Sequence, residues 1–453
     1  MSISKIRNFL YGACPRQLHP YWKRVESSHL GTRMVQGAFW SFGGAVLSRG
    51  LMLIALILVA RMLGREIYGE FGMIRTTVNM FLVFAGFGLG MTATKHVAEC
   101  RVSDPERAGR IMAISGIFAV GTGTLVAVGL YVFAPWVATH TINAPHLVGE
   151  LRIGAFILLL NAVNGAQTGA LAGFEAFRSI AKVNLWTGLA SFPLLIGGAY
   201  WWGVRGAIWA LAANMLINWL FNHVALRREA AIFGVPFSSV GCFAEWPILW
   251  RFSLPAALGG VMVSPVVWAS NAIMVNQPGG YGQMGLFDAA NQWLMAILFV
   301  PGVVGQIVLP MLANLSAPDD KVRYRKVLKY NALINGGVAF AVALPVALLA
   351  LPIMRSYGVD FEEGALALVL LSVSSIFIAL NNVVGQAIAS KGRMWIGFSF
   401  NLMWATVFLI LSYYFIHNGY GVTGLALANL IAYMAHSIWQ TGYVFKVILA
   451  NKL

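Results

Sequence analysis

Long apolar runs dominate this sequence and decide which solvent the folded chain needs. Twelve runs, bounded by charged residues, glycine or proline, approach or exceed the roughly 20 residues with which an α-helix crosses a bilayer. They cover residues 38–62, 71–95, 110–134, 151–173, 180–202, 205–226, 252–276, 286–313, 328–351, 365–388, 394–416 and 421–444. Charged residues make up 10% of the chain, against about 25% in a soluble domain. We therefore predict an all-α polytopic membrane protein with about 12 transmembrane helices.

The distribution of lysine and arginine predicts the orientation of these spans. With the N-terminus in the cytoplasm, 24 of the 31 cations fall in inside segments, five fall outside, and Arg49 and Arg75 remain within spans. Cytoplasmic loops carry such an excess, so both termini are predicted to be cytoplasmic. The net charge of +15 then needs no nucleic-acid partner. Residues 1–36 are basic and lack the apolar core of a signal peptide, which predicts a cytoplasmic leader.

The second half of the chain repeats the first at an offset of 215–218 residues. IYGEFGMIRTTVN at 67–79 pairs with QMGLFDAANQWLM at 283–295, and GVRGAIWALAAN at 203–214 pairs with GVTGLALAN at 421–429. Each half holds six spans, so an axis along the membrane normal should relate the halves, an internal parallel repeat. The predicted organisation is a leader (1–36), an N-terminal six-helix lobe (37–227), a cytoplasmic linker (228–250), a C-terminal six-helix lobe (251–446) and a cytoplasmic tail (447–453).

Two arginines inside the first two spans point to an anionic substrate. A centrally placed arginine costs about 2.5–3.5 kcal/mol on insertion scales, so Arg49 and Arg75 need a reason to be there. Guanidinium suits phosphate because its planar fork gives two parallel hydrogen bonds. The alternative is structural, with an arginine neutralising a partner such as Asp288. Asp288 is the acid that falls clearly within a span, whereas an exporter of cationic drugs would be expected to bury several carboxylates.

Amide side chains are frequent at membrane depth and predict a polar cavity. An amide that faces lipid leaves its hydrogen-bonding groups unpaired, so these side chains should face protein or water. Hydroxyl-rich ligands such as sugars suit such a surface; the alternative is hydrogen bonding between helices, which is common in membranes. The candidate substrate-binding residues are Arg49, Arg75, Asn79, Asn161, Asn164, Gln167, Asn271, Asp288, Asn291, Gln292, Asn382 and Gln386.

The sequence offers no pattern typical of an enzyme. The eight histidines form neither HxxxH nor HExxH, and no outside loop exceeds roughly 20 residues in the predicted topology. A membrane glycosyltransferase or ligase would be expected to show paired acids, metal ligands or a large extramembrane loop. We therefore predict no catalytic residues, no metal and no cofactor.

Motifs around the first, second and seventh spans resemble a known transporter family. ALILVARMLGREIYGEFGMIRT at 55–76, followed by GFGLGMTATKHVAE at 86–99, resembles the first two helices of the polysaccharide and O-antigen flippases. These belong to the multidrug/oligosaccharidyl-lipid/polysaccharide exporter superfamily. Its R-x-LG-x-x-x-(Y/F)-G core corresponds to Arg61 through Gly69, and its second-half Gly-Leu-(Tyr/Phe) marker to Gly285 through Phe287. The resemblance covers nearly all of the chain after residue 34.

The resemblance implies a two-lobed transporter in the bacterial cytoplasmic membrane. Its cargo would be an undecaprenyl-diphosphate-linked oligosaccharide, moved to the outer leaflet by alternating access, with Arg49 in the helix that carries a diphosphate-binding arginine in the family. Membrane lipids and other polysaccharide-assembly proteins are the implied partners. Two alternatives stay open: a cation-coupled multidrug exporter of the same superfamily, and a polysaccharide-assembly membrane component such as a polymerase.

Overall fold

The chain folds almost entirely into helices. The computed structural model describes residues 29–253, 262–314 and 321–449. The α-helices longer than one turn are α1 (His29–Gly86), α2 (Leu89–Cys100), α3 (Pro105–Trp136), α4 (Val148–Gly173), α5 (Phe177–Ile232), α6 (Val263–Val275), α7 (Gly280–Ile297), α8 (Phe299–Asn314), α9 (Lys321–Leu348), α10 (Ala350–Tyr357), α11 (Ala365–Ser390), α12 (Met394–His417) and α13 (Gly421–Tyr443). The predicted all-α membrane fold is confirmed.

Two helices are about twice as long as a bilayer is thick, and each is interrupted where the sequence predicts a loop. At 1.5 Å per residue, the 58 residues of α1 would extend about 87 Å if straight. Gly64 breaks α1 with φ 76°, a left-handed conformation that glycine adopts without steric cost. Trp202 and Gly203 break α5 in the same way, with φ 60° at Gly203. Each long helix therefore supplies two of the predicted spans.

Eight helical segments of the described chain are long and apolar enough to cross a membrane, or nine if the bent pair formed by α7 and α8 counts as one span. That pair is bent by 42°, at the middle of the predicted eighth span. The predicted seventh span includes residues 254–261, which lie outside the described residues, as do residues 1–28 of the leader. The count of twelve spans therefore stays a prediction.

Close helix packing within the N-terminal lobe depends on glycine. A β-carbon at Gly90 would lie 2.9 Å from the carbonyl oxygen of Gly165, and one at Gly169 would overlap the backbone of Gly90. Gly86 and Gly90 form a Gly-xxx-Gly pattern in the predicted second span, and Gly165 and Gly169 form one in the fourth. Small residues let membrane helices approach until their backbones touch. The patterns thus serve to pack α2 against α4.

The two lobes meet where α1 crosses α7, and the repeat is visible in that contact. Gly69 of α1 faces Gly285 of α7, and a β-carbon on Gly69 would lie 2.9 Å from the Gly285 backbone nitrogen. Three residues further on, Gly72 faces Asp288, with 3.1 Å between the β-carbon that Gly72 lacks and that of Asp288. In both pairs the second residue follows the first by 216 positions, within the offset of the repeat. Equivalent residues therefore face each other across the boundary between the lobes.

Polar contacts join the lobes at the end of the molecule that holds Gly64. The Arg65 guanidinium pairs with the Glu363 carboxylate at 2.8 Å. The Tyr281 hydroxyl donates to the carbonyl oxygen of Ile142 at 2.7 Å, and Asn276 Nδ2 donates to that of Thr141 at 2.8 Å. The sequence predicts that this end faces outward. In the described structure the lobes are therefore closed together at the predicted outer end.

Candidate functional site: polar groups where the lobes meet

Three of the predicted site residues form a charged cluster just below the crossing of α1 and α7. Arg75 of α1 donates through Nη1 to Asp288 Oδ2 of α7 at 3.3 Å. The Gln292 amide, one turn further along α7, lies 3.4 Å from both carboxylate oxygens. With its amide reversed, Gln292 instead accepts from the Arg75 guanidinium at 3.1 Å. The side chains of Arg75 and Asp288 are 21% and 8% exposed, so a largely buried ion pair links the lobes.

The packing around this cluster explains why an acid fits there. Gly72 offers no side chain, and Asp288 occupies the space beside it. The Arg75 guanidinium also lies 5.4 Å from the centre of the Phe71 ring. Two residues after Arg75 in α1, Thr77 Oγ1 accepts from Trp268 Nε1 of α6 at 3.0 Å, which is another polar contact between the lobes. A buried carboxylate requires a charged partner, and Arg75 supplies it.

Arg49 lies apart from that cluster and has different surroundings. Its guanidinium carbon is 4.3 Å from the centre of the Phe299 ring at the start of α8, so it also reaches from one lobe to the other. Arg49 is exposed, and among the described residues no carboxylate forms an ion pair with it. The structural alternative in which Asp288 neutralises an arginine therefore applies to Arg75.

The predicted amides of the fourth span lie between α4 and the second half of α5. Asn164 Nδ2 donates to the carbonyl oxygen of Met215 at 3.1 Å, and Asn161 Nδ2 lies 3.9 Å from the Met215 sulfur. Asn164 and Gln167 are buried, and the side-chain oxygen of each has no hydrogen-bond partner. Asn161 and Asn164 thus contribute to the packing of α4 against α5, while the side-chain oxygens of Asn164 and Gln167 could each still accept a hydrogen bond.

The C-terminal lobe contains a hydrogen bond that matches the one made by Asn164. Asn381 Nδ2 donates to the carbonyl oxygen of Tyr433 at 3.2 Å, joining α11 to α13. Donor and acceptor follow Asn164 and Met215 by 217 and 218 positions, again the offset of the repeat. Its neighbour Asn382, the predicted site residue, is exposed instead. Of the two adjacent amides, Asn381 therefore has the packing role.

The other predicted site residues are spread over both lobes. Gln386 accepts from Asn331 of α9 at 3.4 Å. Asn79 is exposed, Asn291 is half-buried, and Asn271 is buried with a side-chain oxygen that lacks a partner. The structure brings together Arg75, Asp288 and Gln292, and it leaves the remaining candidates in separate groups.

Sequence reasoning missed several polar residues that the structure places beside these groups. On the second half of α5, Asn214, Asn218 and Asn222 recur every four residues and so share one face of the helix; Asn222 Nδ2 lies 3.4 Å from Thr168 Oγ1 of α4. In α9, Asn335 donates to Asn331. The spacing of four was a readable signal in both helices. It predicts a shared face, although it does not identify the neighbouring helix.

Potential metal ligands and cavities add two observations about the described residues. In the part of the chain that the structure describes, no group of three His, Cys, Asp or Glu side chains is suited to hold a metal ion. A cavity of about 600 Å³ between α6 and α12 is lined mostly by apolar side chains, among them Trp268, Ile273 and Leu409. Its lining includes none of the predicted site residues.

This fold, with ionic groups buried between two helical lobes, is that of a membrane transporter, and comparisons with known proteins agree. Residues 34–316 match the family described as polysaccharide biosynthesis protein, and the chain belongs to that family. The EPS I polysaccharide export inner membrane protein EpsE of Ralstonia nicotianae is 26% identical over 406 residues, which cover 88% of this chain and 91% of the relative. The lipopolysaccharide biosynthesis protein WzxC of Escherichia coli is 20% identical, with 93% of this chain and 83% of the relative covered.

Solved structures show the same fold. An inward-facing multidrug resistance MATE family transporter of the MOP superfamily superposes with a TM-score of 0.72 at 16% identity, covering 89% of this chain and 96% of that structure. An outward-facing structure of such a transporter gives 0.66 at 16% identity, with 93% and 96% covered. The predicted two-lobed fold and the predicted membership in the polysaccharide branch of this superfamily are confirmed.

Proposed function

We propose that the protein is a flippase for an undecaprenyl-diphosphate-linked oligosaccharide, such as a repeat unit of O-antigen, capsule or exopolysaccharide. It acts in the bacterial inner membrane and moves this lipid from the cytoplasmic to the outer leaflet by alternating access. The observation that carries the proposal is Arg49, an exposed guanidinium inside a span, between the lobes and without a carboxylate partner among the described residues. Family membership and the printed functions of EpsE and WzxC support a polysaccharide precursor as cargo.

The depth of Arg49 suits loading from the cytoplasm. It lies 15 positions before Gly64, a distance of about 22 Å along a helix. The contacts that close the lobes, including the pair of Arg65 and Glu363, lie at the Gly64 end. A diphosphate that reaches Arg49 in this arrangement therefore enters from the predicted cytoplasmic side. The Phe299 ring beneath the guanidinium holds it in place and leaves its N–H groups for phosphate oxygens.

Arg75 takes part at a later stage in this proposal. Asp288 occupies its guanidinium while the lobes touch. Because the two residues belong to different lobes, separation of the lobes at this level breaks the pair and frees Arg75 for the diphosphate. The exposed Asn79 and Asn382 and the half-buried Asn291 are the proposed sugar contacts. Hydrogen-bonded Asn164 contributes mainly to helix packing.

The membrane potential favours this direction of transport. It is worth about 2.3 kcal/mol per elementary charge per 100 mV, so moving a dianionic diphosphate out of a negative interior is downhill. Return of an empty, positively charged site is downhill as well. The proposal therefore needs no resident coupling ion.

The test replaces Arg49 by Ala and by Lys in a host that lacks its own flippase. Export of surface polysaccharide is expected to fall strongly in Arg49→Ala and less in Arg49→Lys, because lysine keeps the charge and loses the bidentate fork. Arg152→Ala is the matched control, since Arg152 also lies over an aromatic ring, Tyr131 at 4.9 Å, on the side of the N-terminal lobe formed by α3 and α4. Normal export by Arg49→Ala at equal protein level would refute the diphosphate role.

The same host separates the proposal from its alternatives. A deletion strain should accumulate lipid-linked single repeat units on the cytoplasmic face. Accumulation on the outer face would identify a polymerase, and restored drug resistance without polysaccharide export would identify a drug exporter.

A further inference from the structure

The chain between the lobes forms a packed element rather than an open loop. Residues 235–253, here named the linker collar, lie against the N-terminal lobe at its predicted cytoplasmic end. Glu245 is 8% exposed and accepts from Arg107 Nε at 3.1 Å, and Arg110 Nε lies 3.8 Å from it. Cys242 and Leu249 are buried on the same side. An ion pair and an apolar face therefore fix the collar to α3.

The opposite side of the collar exposes large apolar side chains. Phe243 is 64% exposed, Trp246 39% and Trp250 53%. They alternate with the buried Cys242, Glu245 and Leu249, so the collar is amphipathic. Phe237 and Val240, earlier in the collar, are exposed as well. Exposed apolar side chains at this density need an apolar partner to cover them.

The location of the patch identifies what covers it. The Trp246 ring lies 5.5 Å from that of Phe118, a residue of the predicted third span. Ser253 and Thr92 share a hydrogen bond of 2.6 Å, close to the predicted cytoplasmic end of the second span. The collar thus lies at the level where spans leave the hydrocarbon. Trp and other aromatic residues are enriched at that level because it is apolar on one side and hydrated on the other.

Cations lie beside two aromatic side chains of the collar, the exposed Phe237 and the half-buried Phe252. The Arg227 guanidinium is 5.5 Å from the centre of the Phe237 ring, and Lys95 Nζ is 4.7 Å from that of Phe252. Arg228 is exposed next to Arg227. Apolar side chains flanked by Lys and Arg bind the surface of anionic membranes, through buried area and attraction to the headgroups.

We propose that the linker collar is an interfacial element that binds anionic phospholipids of the leaflet on the predicted cytoplasmic side. Phe243, Trp246 and Trp250 insert among the lipids, and Arg227 and Arg228 contact their phosphates. The Glu245 ion pair makes the collar rigid with the N-terminal lobe. That lobe is then held in the membrane while the C-terminal lobe moves. This inference does not depend on the identity of the transported substrate.

The test uses fluorescent labels on the full-length protein in vesicles. Single cysteines replace Phe243 or Trp250 in a background in which Cys14, Cys100 and Cys242 are replaced by Ala, and each carries a bimane label. Labels at both sites are expected to be quenched by lipids with a doxyl group near the headgroup and protected from aqueous iodide. Glu106→Cys, an exposed polar site at the same end, is the control and should be quenched by iodide.

A second arm measures lipid preference. Brominated phosphatidylglycerol should quench the bimane label at position 250 more strongly than brominated phosphatidylcholine does. Arg227→Gln should reduce this preference for the anionic lipid about fivefold, the factor expected for one surface cation. Two results would each overturn the proposal: iodide quenching of both labels as strong as at position 106, or equal competition by the two lipids.

Discussion

Gly69→Ala tests whether the backbones of α1 and α7 are in direct contact where the two helices cross. The new β-carbon would lie 2.9 Å from the Gly285 nitrogen and closer still to the carbonyl oxygen of Tyr281. Ordinary contacts of this type begin near 3.4 Å. The contact with the Gly285 nitrogen alone requires the helices to separate by about 0.5 Å, and the Tyr281 carbonyl oxygen requires more, since backbone atoms on both sides leave no flexible side chain to rotate away.

The magnitude follows from comparison with a glycine that has free space. Overpacking a well-packed contact costs about 1–3 kcal/mol. Gly121 of α3 has nothing within 4 Å of its missing β-carbon, and Gly→Ala there should gain about 0.5–1 kcal/mol of helix stability. Because both substitutions carry this gain, the two alanine variants are expected to differ by the overpacking cost, about 1–3 kcal/mol, with Gly69→Ala the less stable.

Thermal unfolding of both variants in one detergent measures this difference, and polysaccharide export in cells gives its functional consequence. Gly285→Ala should behave like Gly69→Ala, because its β-carbon would overlap the carbonyl oxygen of Arg65. If Gly69→Ala unfolds at the same temperature as Gly121→Ala and exports normally, the lobes are not in backbone contact at this level and the described crossing is refuted.

Two further predictions concern polar contacts between helices. Asp288→Asn removes the anionic partner of Arg75 and is expected to lower the free energy of unfolding by about 1.5–3 kcal/mol, the usual value of a hydrogen bond to a charged group. In a double-mutant cycle with Arg75→Gln, the two losses of stability should be less than additive. Full additivity would contradict the ion pair. Asn164→Ala removes the interhelical hydrogen bond to the carbonyl oxygen of Met215. Asn381→Ala removes two, one donated to the carbonyl oxygen of Tyr433 and one accepted from Ser437 Oγ, and such bonds are worth about 0.6 kcal/mol each in membranes. Both should leave the melting temperature and export nearly unchanged, and a loss of export at normal protein level would assign the amide to substrate.

Apolar runs, loop residues and the repeat predicted the architecture because all three can be read along one chain. The gaps between predicted spans contain Gly64 and Gly203, and the helices break at both. The repeat aligned Gly69 with Gly285, and these two residues meet where the lobes cross. A parallel repeat places equivalent helices around one axis, so residues on that axis face their own counterparts.

The site was less accessible from sequence. Arg49, Arg75 and Asp288 were identified because an ionisable residue in a span is costly and needs a reason. Which arginine pairs with Asp288 depends on how α1 and α7 are rotated and how far they slide past each other. The same holds for Asn222, whose neighbour Thr168 belongs to another helix.

The sequence by itself predicted that the chain spans a membrane, that its two halves repeat, and that two cations lie within its first two spans, because these properties follow from composition and from positions along one chain. The tertiary structure decided that Arg75 is paired with Asp288, that Arg49 has no carboxylate partner among the described residues, and that the linker collar presents aromatic side chains at the lobe surface. Those outcomes depend on helix rotation and on contacts between residues more than 130 positions apart, such as Arg107 and Glu245, for which a single sequence carries no local signal.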